Sequence, residues 1–504
     1  MTFFKKILVG EMLLLLLLIA APVMAADDVT TRALKLYEKH RYEDAARLLR
    51  PELAAMDAAK LADARLASAS LALGMIYLAS AKLYSELHQT ALLIQLDYFA
   101  LLSKQKTGTA SRMVDLYLGQ VLLDSGKPAE AAIYLQRAAE QADAKSPVKV
   151  YAAIELGIAY SRQKLVQKAT QQWSGLDTKI PEFKAALAGA YAVTGAQEFK
   201  PVAMADAALS EIKALQRTPD MRMLRNLLRA YSHGGAPEKA LALLNTNELK
   251  EASYVEELGY SKTISFYDSN LMQSMAKTYL HAAVLNLERA NQEASLRSAA
   301  AYYLAEGYLL QGNINLSLHT LTTVLAQDKL PLQIRNGAQV KLAIALNRAG
   351  QKTESTAIWK ALVEKSKGNP GLLALLVQSC SLAGADCRQI VNLAIAEAEQ
   401  GEGKKVFPLN AALGKYYLLQ KDNQKAMLYM EAGRDKAHKN KIEVNDPVML
   451  VGLAEAYYRN KKFSENLEIY FEIGKQYPVV RQIQDAMQGI YAMEQQSAGD
   501  VKIF

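Results

Sequence analysis

The hydrophobic pattern of the chain is built from one recurring unit. A large apolar residue is followed by Gly or Ala, and three residues on stands an aromatic residue or Leu. The unit appears at Leu73-Gly74…Tyr77, Leu118-Gly119…Leu122, Leu156-Gly157…Tyr160 and Leu187-Ala188…Tyr191. It returns at Met275-Ala276…Tyr279, Leu304-Ala305…Tyr308, Leu342-Ala343…Leu346, Leu413-Gly414…Tyr417 and Leu453-Ala454…Tyr457, with a variant at Leu227-Leu228…Tyr231. Residues three apart share a helical face, a small residue lets a second helix approach, and a bulky one fills the gap beside it. Each unit is therefore expected to be a helix packed closely on another.

The pattern continues past that first helix. Gly stands seven residues after the small position at Gly126, Gly195, Gly235, Gly312 and Gly350, where a left-handed residue would stop the helix. Twelve residues after it comes another small residue at Ala131, Ala169, Ala240 and Ala426, and four further on a large apolar one at Leu135, Trp173, Leu244 and Met430. The stretch LGQVLLDSGKPAEAAIYLQRA (118–138) shows the whole unit: Gly126 ends one helix, Pro128 begins the next, and Gly119 and Ala131 are the faces on which the pair closes. A Pro ends some units, as at Pro370 and Pro478.

This spacing resembles the tetratricopeptide repeat (TPR) family. The likeness rests on LGIAYSRQKLVQKATQQW (156–173), on LAEAYYRNKKFSENLEIYFEIGKQYP (453–478), and on ALKLYEKHRYEDAARLLRPEL (33–53), with Tyr42, Ala45 and Leu49 in second-helix positions. The copies are spaced unevenly, and the resemblance is weak in 55–110 and 245–295. It implies an all-α fold, a right-handed superhelical solenoid of about 11–13 TPR-like hairpins, each burying its apolar face against its neighbours. The expected organisation is a signal peptide (1–25), an N-terminal arm (26–245), an atypical helical connector (246–295) that includes the acidic, aromatic stretch 249–271, and a C-terminal arm (296–504). Residues 397–408 and 434–447 read as exposed linkers.

Composition adds location. MTFFKK is a positive leader, ILVGEMLLLLLLIAAP an apolar run broken by Glu11, and VMA before ADD a cleavage signal, so the start is expected to be a secretory signal peptide cut after Ala25 or Ala26. That points to the bacterial periplasm, with membrane attachment only through an uncleaved signal anchor; no other apolar run is expected to span a bilayer. The two cysteines, Cys380 and Cys387, are placed either to pair across a tight helix–helix turn in an oxidising compartment or to stand as small buried thiols.

Charge and motifs then narrow the chemistry. There are 59 Lys and Arg against 51 Asp and Glu, a net charge of +8, but the signs are interspersed, and no basic run with interleaved aromatics points to nucleic acid. Gly126-Lys127 and Gly403-Lys404 lack the Gly five residues before and the Ser or Thr after that a phosphate loop needs. The six histidines are dispersed, and no nucleophile elbow is present. No catalytic residue, metal or cofactor is expected.

The strongest binding signal is a groove. Arg222, Arg225 and Arg229 share one stripe of a helix that, by repeat register, faces the groove. Arg162, Arg348 and Arg459 each follow their small position by five residues, which is a groove-lining place in TPR proteins. Such a line of guanidinium groups suits carboxylates, with Tyr302 and Tyr458 as flat contact area, unless the arginines are solvated or paired internally. The expected function is a non-catalytic periplasmic scaffold that binds protein partners of a cell-envelope assembly, secretion or export complex. Two rivals are a module binding anionic polysaccharide or peptidoglycan and a peptidoglycan-acting enzyme built on an α-superhelix.

Overall fold

The computed structural model describes residues 29–59, 64–105, 109–142, 146–244, 269–328, 330–400, 407–439, 446–477 and 480–497. Among the described residues there is helix and turn and no strand. The signal peptide and most of the stretch 249–271 lie outside them, as does Pro478.

Helices α1 (Val29–Glu38) and α2 (Tyr42–Ala58) form a first hairpin, and the long α3 (Ala64–Gln105) follows. Four hairpins come next: α4 (Thr109–Asp124) with α5 (Pro128–Gln141), α6 (Pro147–Arg162) with α7 (Val166–Ser174), α8 (Pro181–Thr194) with α9 (Pro201–Ala214), and α10 (Met221–Gly234) with α11 (Pro237–Leu244). After α12 (Ser269–Asn291) the hairpins resume as α13 (Arg297–Gln311) with α14 (Ile314–Leu325), α15 (Leu332–Arg348) with α16 (Lys352–Lys365), and α17 (Pro370–Ala383) with α18 (Arg388–Gln400). They end with α19 (Phe407–Leu419) and α20 (Asn423–Lys439), α21 (Pro447–Arg459) and α22 (Phe463–Gly474), and a final α23 (Arg481–Ser497). Helix thus continues into both predicted linkers, to Gln400 and Lys439. Pro370 opens α17. Pro tolerates the first helical turn because the N–H it lacks has no partner there. Ser146, Asp220, Asn369 and Asp446 cap the first helices of their hairpins, each accepting from a backbone N–H two or three residues on.

The turn inside the hairpins is one structure repeated ten times. At the turn of each of these ten hairpins the backbone is left-handed: at Gly126, Gly195, Gly235, Gly312, Gly350 and Gly384, but also at His40, Lys164, Lys421 and Lys461. The following N–H then reaches back to the carbonyl five residues earlier, as in Lys127 to Leu122 (2.9 Å), Leu165 to Tyr160 (2.9 Å) and Lys462 to Tyr457 (2.9 Å). This is the bond that satisfies an orphan carbonyl at a helix end and turns the chain. A clasp recurs across three of these turns, where Lys168, Lys239 and Lys425 lie over the rings of Tyr160, Tyr231 and Tyr417 at 5.6, 5.9 and 5.2 Å. In the fourth hairpin Phe199 stacks on Tyr191 at 4.3 Å in the same role.

The small positions do what the spacing predicts. A methyl on Gly119 would sit 2.5 Å from Leu135, one on Gly157 would fall inside the Trp173 ring, and one on Gly414 would collide with Met430. The Trp173 indole N–H donates to the Ile154 carbonyl (3.1 Å), which fixes the ring in that gap. Twelve residues after the small position most partner helices again have a buried residue. Where it is polar it closes a bond across the hairpin: Ser317 to the Ala305 carbonyl (2.9 Å), Ser355 to Ala343 (2.7 Å) and Asn466 to Ala454 (2.6 Å). The bond satisfies a hydroxyl or amide that burial would otherwise leave costly.

The described residues fall into two compact units, and neither is contiguous in sequence. One joins the residues up to Lys82 to Leu280–Ile469; the other joins Leu83–Tyr279 to the residues from Tyr470 onward. The boundaries fall inside α3, α12 and α22. Within the first unit, Gly74 of α3 lies against Leu287 and the Ala283 carbonyl of α12. Within the second, Tyr84 of α3 stacks on Tyr279 at 5.6 Å, Phe99 on Tyr117 at 5.6 Å, and Gly489 of α23 meets Tyr98. Helix α3 is long and apolar enough to cross a membrane by length and composition, which the sequence reading did not single out; 83% of its apolar window is buried inside the protein. A helix covered on all sides is apolar all round, which explains both facts. Cys380 and Cys387 are joined in a disulfide across the α17–α18 turn, with Cα atoms 5.8 Å apart.

Candidate partner-binding face and its buried charges

First helices pack on first helices: α4 on α6, α6 on α8 and α8 on α10 in the second unit, and α13 through α21 by alternate members in the first. Their common face is where the sequence places the arginines, and the structure separates those arginines by role.

In the second unit, Asp220 caps α10 and starts the stripe. The Arg222 guanidinium lies 4.4 Å from the centre of the Tyr151 ring and donates to the Tyr117 hydroxyl (3.0 Å). Burial pushes the Tyr151 hydroxyl pKa up to about 12, so it stays protonated beside that cation. Arg225 is half-buried. Arg229 is only 3% exposed and donates to Glu155 Oε1 (2.9 Å), which also receives the Gln120 amide (3.3 Å). Glu155 Oε2, Arg229 Nε and Asn226 Nδ2 are buried with no protein partner. The reason is close approach: Gly189 of α8 has no side chain, and a methyl there would stand 3.2 Å from the Asn226 carbonyl and 3.4 Å from Arg229 Cδ. The stripe therefore runs under a neighbouring helix, and its last arginine is an internal ion pair.

Arg162 and Arg348 share a different task. The Arg162 guanidinium donates to the Leu123 carbonyl of the preceding first helix, and Arg348 does the same to Leu309 (3.1 Å). Both accepting residues lie in the last turn of their helix, where carbonyls lack intrahelical partners and the helix dipole favours a cation. These arginines thus tie one repeat to the next while their side chains stay at the surface. Arg459 pairs with Glu455 one turn back on its own helix (2.8 Å).

In the first unit the tyrosine expected to offer contact area is packing. Tyr302 is buried, lies 5.1 Å from Tyr303 ring to ring, and fits because Gly337 of α15 leaves room for its hydroxyl. Lys341 Nζ sits 3.3 Å from the centre of the Tyr302 ring and 2.8 Å from Glu306 Oε2, while Lys82 of α3 holds the other Glu306 oxygen. Burial pushes the Glu306 carboxyl up, but Lys341 and Lys82 outweigh it and hold its pKa at about 2. Burial also raises the hydroxyls of Tyr37 and Tyr303 beside it. Tyr458 is buried as well, with its ring 5.9 Å from Phe463. Arg229, Tyr302 and Tyr458 consequently offer a partner almost no accessible surface.

Sequence reasoning did not find the Glu306–Lys341–Lys82 cluster. Its signal is faint: a Glu and a Lys set in the Ala-rich, otherwise buried faces of α13 and α15. Among the described residues no group of three or more His, Cys, Asp or Glu stands where it could hold a metal ion.

No family model matches the chain and no curated protein matches it. Solved structures are similar to it. One is a tetratricopeptide repeat protein from Parabacteroides merdae, with 14% identity over 71% of this chain and 99% of that one and a TM-score of 0.26. Another is yeast Tom70, with 11% identity, 93% and 96% coverage and a TM-score of 0.33. A third is the Cut9–Hcn1 hetero-tetramer of the APC/C, with 13% identity, 94% and 98% coverage and a TM-score of 0.26. The class of fold, a TPR-like stack of helical hairpins, rests on the ten turns and the small-residue register described above.

Proposed function

We propose that the protein is a non-catalytic scaffold whose first-helix faces bind protein partners. The observation that carries this is the allocation of the chain: most described residues belong to helical hairpins, and the polar side chains of the first helices hold the hairpins to one another. The charged clusters are spent on internal bonds, so they support packing rather than turnover. The signal-like start and the Cys380–Cys387 disulfide both suit an oxidising compartment outside the cytoplasm, and the bacterial periplasm is the proposed location. A place in a cell-envelope assembly, secretion or export complex follows from that location.

The test is crosslinking in cells with fractionation, followed by mass spectrometry of the bound proteins. A defined set of envelope proteins, crosslinked from the periplasmic fraction, is the expected result. Recovery of the chain in the cytoplasm, or turnover of purified peptidoglycan by the isolated protein, would overturn the proposal.

A further inference from the structure

In the first unit one register of the repeat is exposed in each of the five successive copies from α13 to α21. The residue two before the left-handed turn position is Leu310 on α13, Arg348 on α15, Leu382 on α17, Leu419 on α19 and Arg459 on α21. Leu310, Leu382 and Leu419 are 46%, 64% and 56% exposed. Single exposed leucines are ordinary, but three at the same place in five successive copies form a row.

The geometry of the row follows from the packing. α13 packs on α15, α15 on α17, α17 on α19 and α19 on α21, so the five residues succeed one another across adjacent helices. Packed helices stand about 8–10 Å apart. Three residues of extended chain span roughly 10 Å. Every third residue of an extended segment laid across these helices therefore meets the next member of the row.

The charge of the row is positive. Arg348 donates to a carbonyl and has no carboxylate partner among the described residues. Arg459 remains exposed although Glu455 holds it, and Lys421 and Lys461 stand exposed two residues beyond Leu419 and Arg459. The nearby carboxylates of Asp386 and Asp422 are taken up by Arg388 and Lys425.

We propose that this row docks an extended segment of a partner protein that carries apolar and acidic residues at three-residue steps. An apolar residue faces Leu310, an acid Arg348, apolar residues Leu382 and Leu419, and an acid Arg459. The proposal rests on the scaffold reading and names the chemistry of its partner. Buried apolar contact supplies affinity, and the two carboxylates set register and direction.

The test uses the full chain and two fluorescent peptides of about 13 residues, one ordered Leu-x-x-Glu-x-x-Leu-x-x-Leu-x-x-Glu and one in the reverse order, with neutral small residues at x. Scrambled peptides of the same composition are the controls, and anisotropy is read at low and raised salt. One order is expected to bind about tenfold or more tighter than its scramble, and less tightly as salt rises. Leu382→Glu and Arg348→Glu should each weaken it about tenfold, and a peptide with Lys in place of the Glu opposite position 348 should restore binding to Arg348→Glu. Both residues are exposed, so circular dichroism should show both variants folded; Leu419→Ser serves as a third, milder change. Binding no better than the scrambles, or equal binding by all variants, overturns the row. A cellular partner that crosslinks equally well to Leu382→Glu and to wild type also overturns it, while leaving the scaffold reading standing.

Discussion

Arg229→Met is the most informative substitution, because it separates a groove ligand from a structural ion pair. The Arg229 and Glu155 side chains are 4% and 6% exposed, and their contact is 2.9 Å. Removing one partner of such a pair leaves a buried charge and costs about 3–5 kcal/mol. After Arg229→Met, Glu155 keeps one neutral donor, the Gln120 amide at 3.3 Å, and its second oxygen already has none, so the upper half of that range is expected. Replacing both partners, as Arg229→Met with Glu155→Leu, removes the uncompensated charge and should return most of the loss, to within about 1 kcal/mol of wild type. The chain has two tryptophans, one in each unit, and Trp173 bonds the carbonyl next to Glu155. In a Trp359→Phe background, urea unfolding read by Trp173 fluorescence reports the second unit alone. At a slope of about 1–3 kcal/mol/M the single variant should lower the midpoint by more than 1 M. A midpoint shift below about 0.3 M, or a double variant as unstable as the single one, would refute the reasoning.

Four further outcomes follow from the same geometry. Gly157→Ala drives a methyl into the fixed Trp173 ring and should destabilise the second unit by about 1–3 kcal/mol, with Trp173 emission shifted in the folded state. Lys164→Gly relieves a left-handed Lys and should raise the stability of the second unit by about 0.5–1 kcal/mol, while Gly126→Ala, with open space around it, should lower it by about 1 kcal/mol, both read from urea unfolding. The lowered Glu306 pKa contributes stability that is fully present above its ordinary value of 4.5 and is lost as pH falls towards about 2, and an acid titration of first-unit stability, read by Trp359 in a Trp173→Phe background, should lose that slope in Glu306→Gln. Reduction of Cys380–Cys387 opens a short loop and should cost roughly 2–3 kcal/mol in the chain-entropy view, read by Trp359, which belongs to the same apolar cluster.

The hairpin register was legible in the sequence because it is local. A small residue, a ring three later and a Gly seven later all lie within about two turns of helix, and the structure repeats the turn ten times. Left-handed lysines were not legible, since nothing in the residue type marks Lys164, Lys421 or Lys461 for that conformation. The polar members of the second-helix position, Ser317, Ser355 and Asn466, hid for a similar reason: each looks like a surface residue until its bond to the facing carbonyl is seen. The arginine stripe shows the limit of periodicity. Spacing put Arg222, Arg225 and Arg229 on one face, but whether a face is open depends on the next helix, and a glycine thirty-three residues before Arg222 decides it. Two cysteines seven apart fix a separation and not a turn, so the sequence alone allows both a disulfide and two buried thiols.

The discontinuity of the two units has a consequence for how the chain is made. In an ordinary repeat array each hairpin can settle on the one before it as it emerges, because every contact is with a neighbour in sequence. Here the residues up to Lys82 belong with Leu280–Ile469, and Leu83–Tyr279 belong with residues from Tyr470 onward. The earliest helices to appear must wait for about two hundred residues before their companions exist, and the second unit is not complete until the last helix is present. Such long waits slow folding and keep apolar surface exposed, that of α3 above all. The order of synthesis therefore works against the order of assembly, and removing α23 should harm a unit whose first residue precedes it by almost four hundred positions.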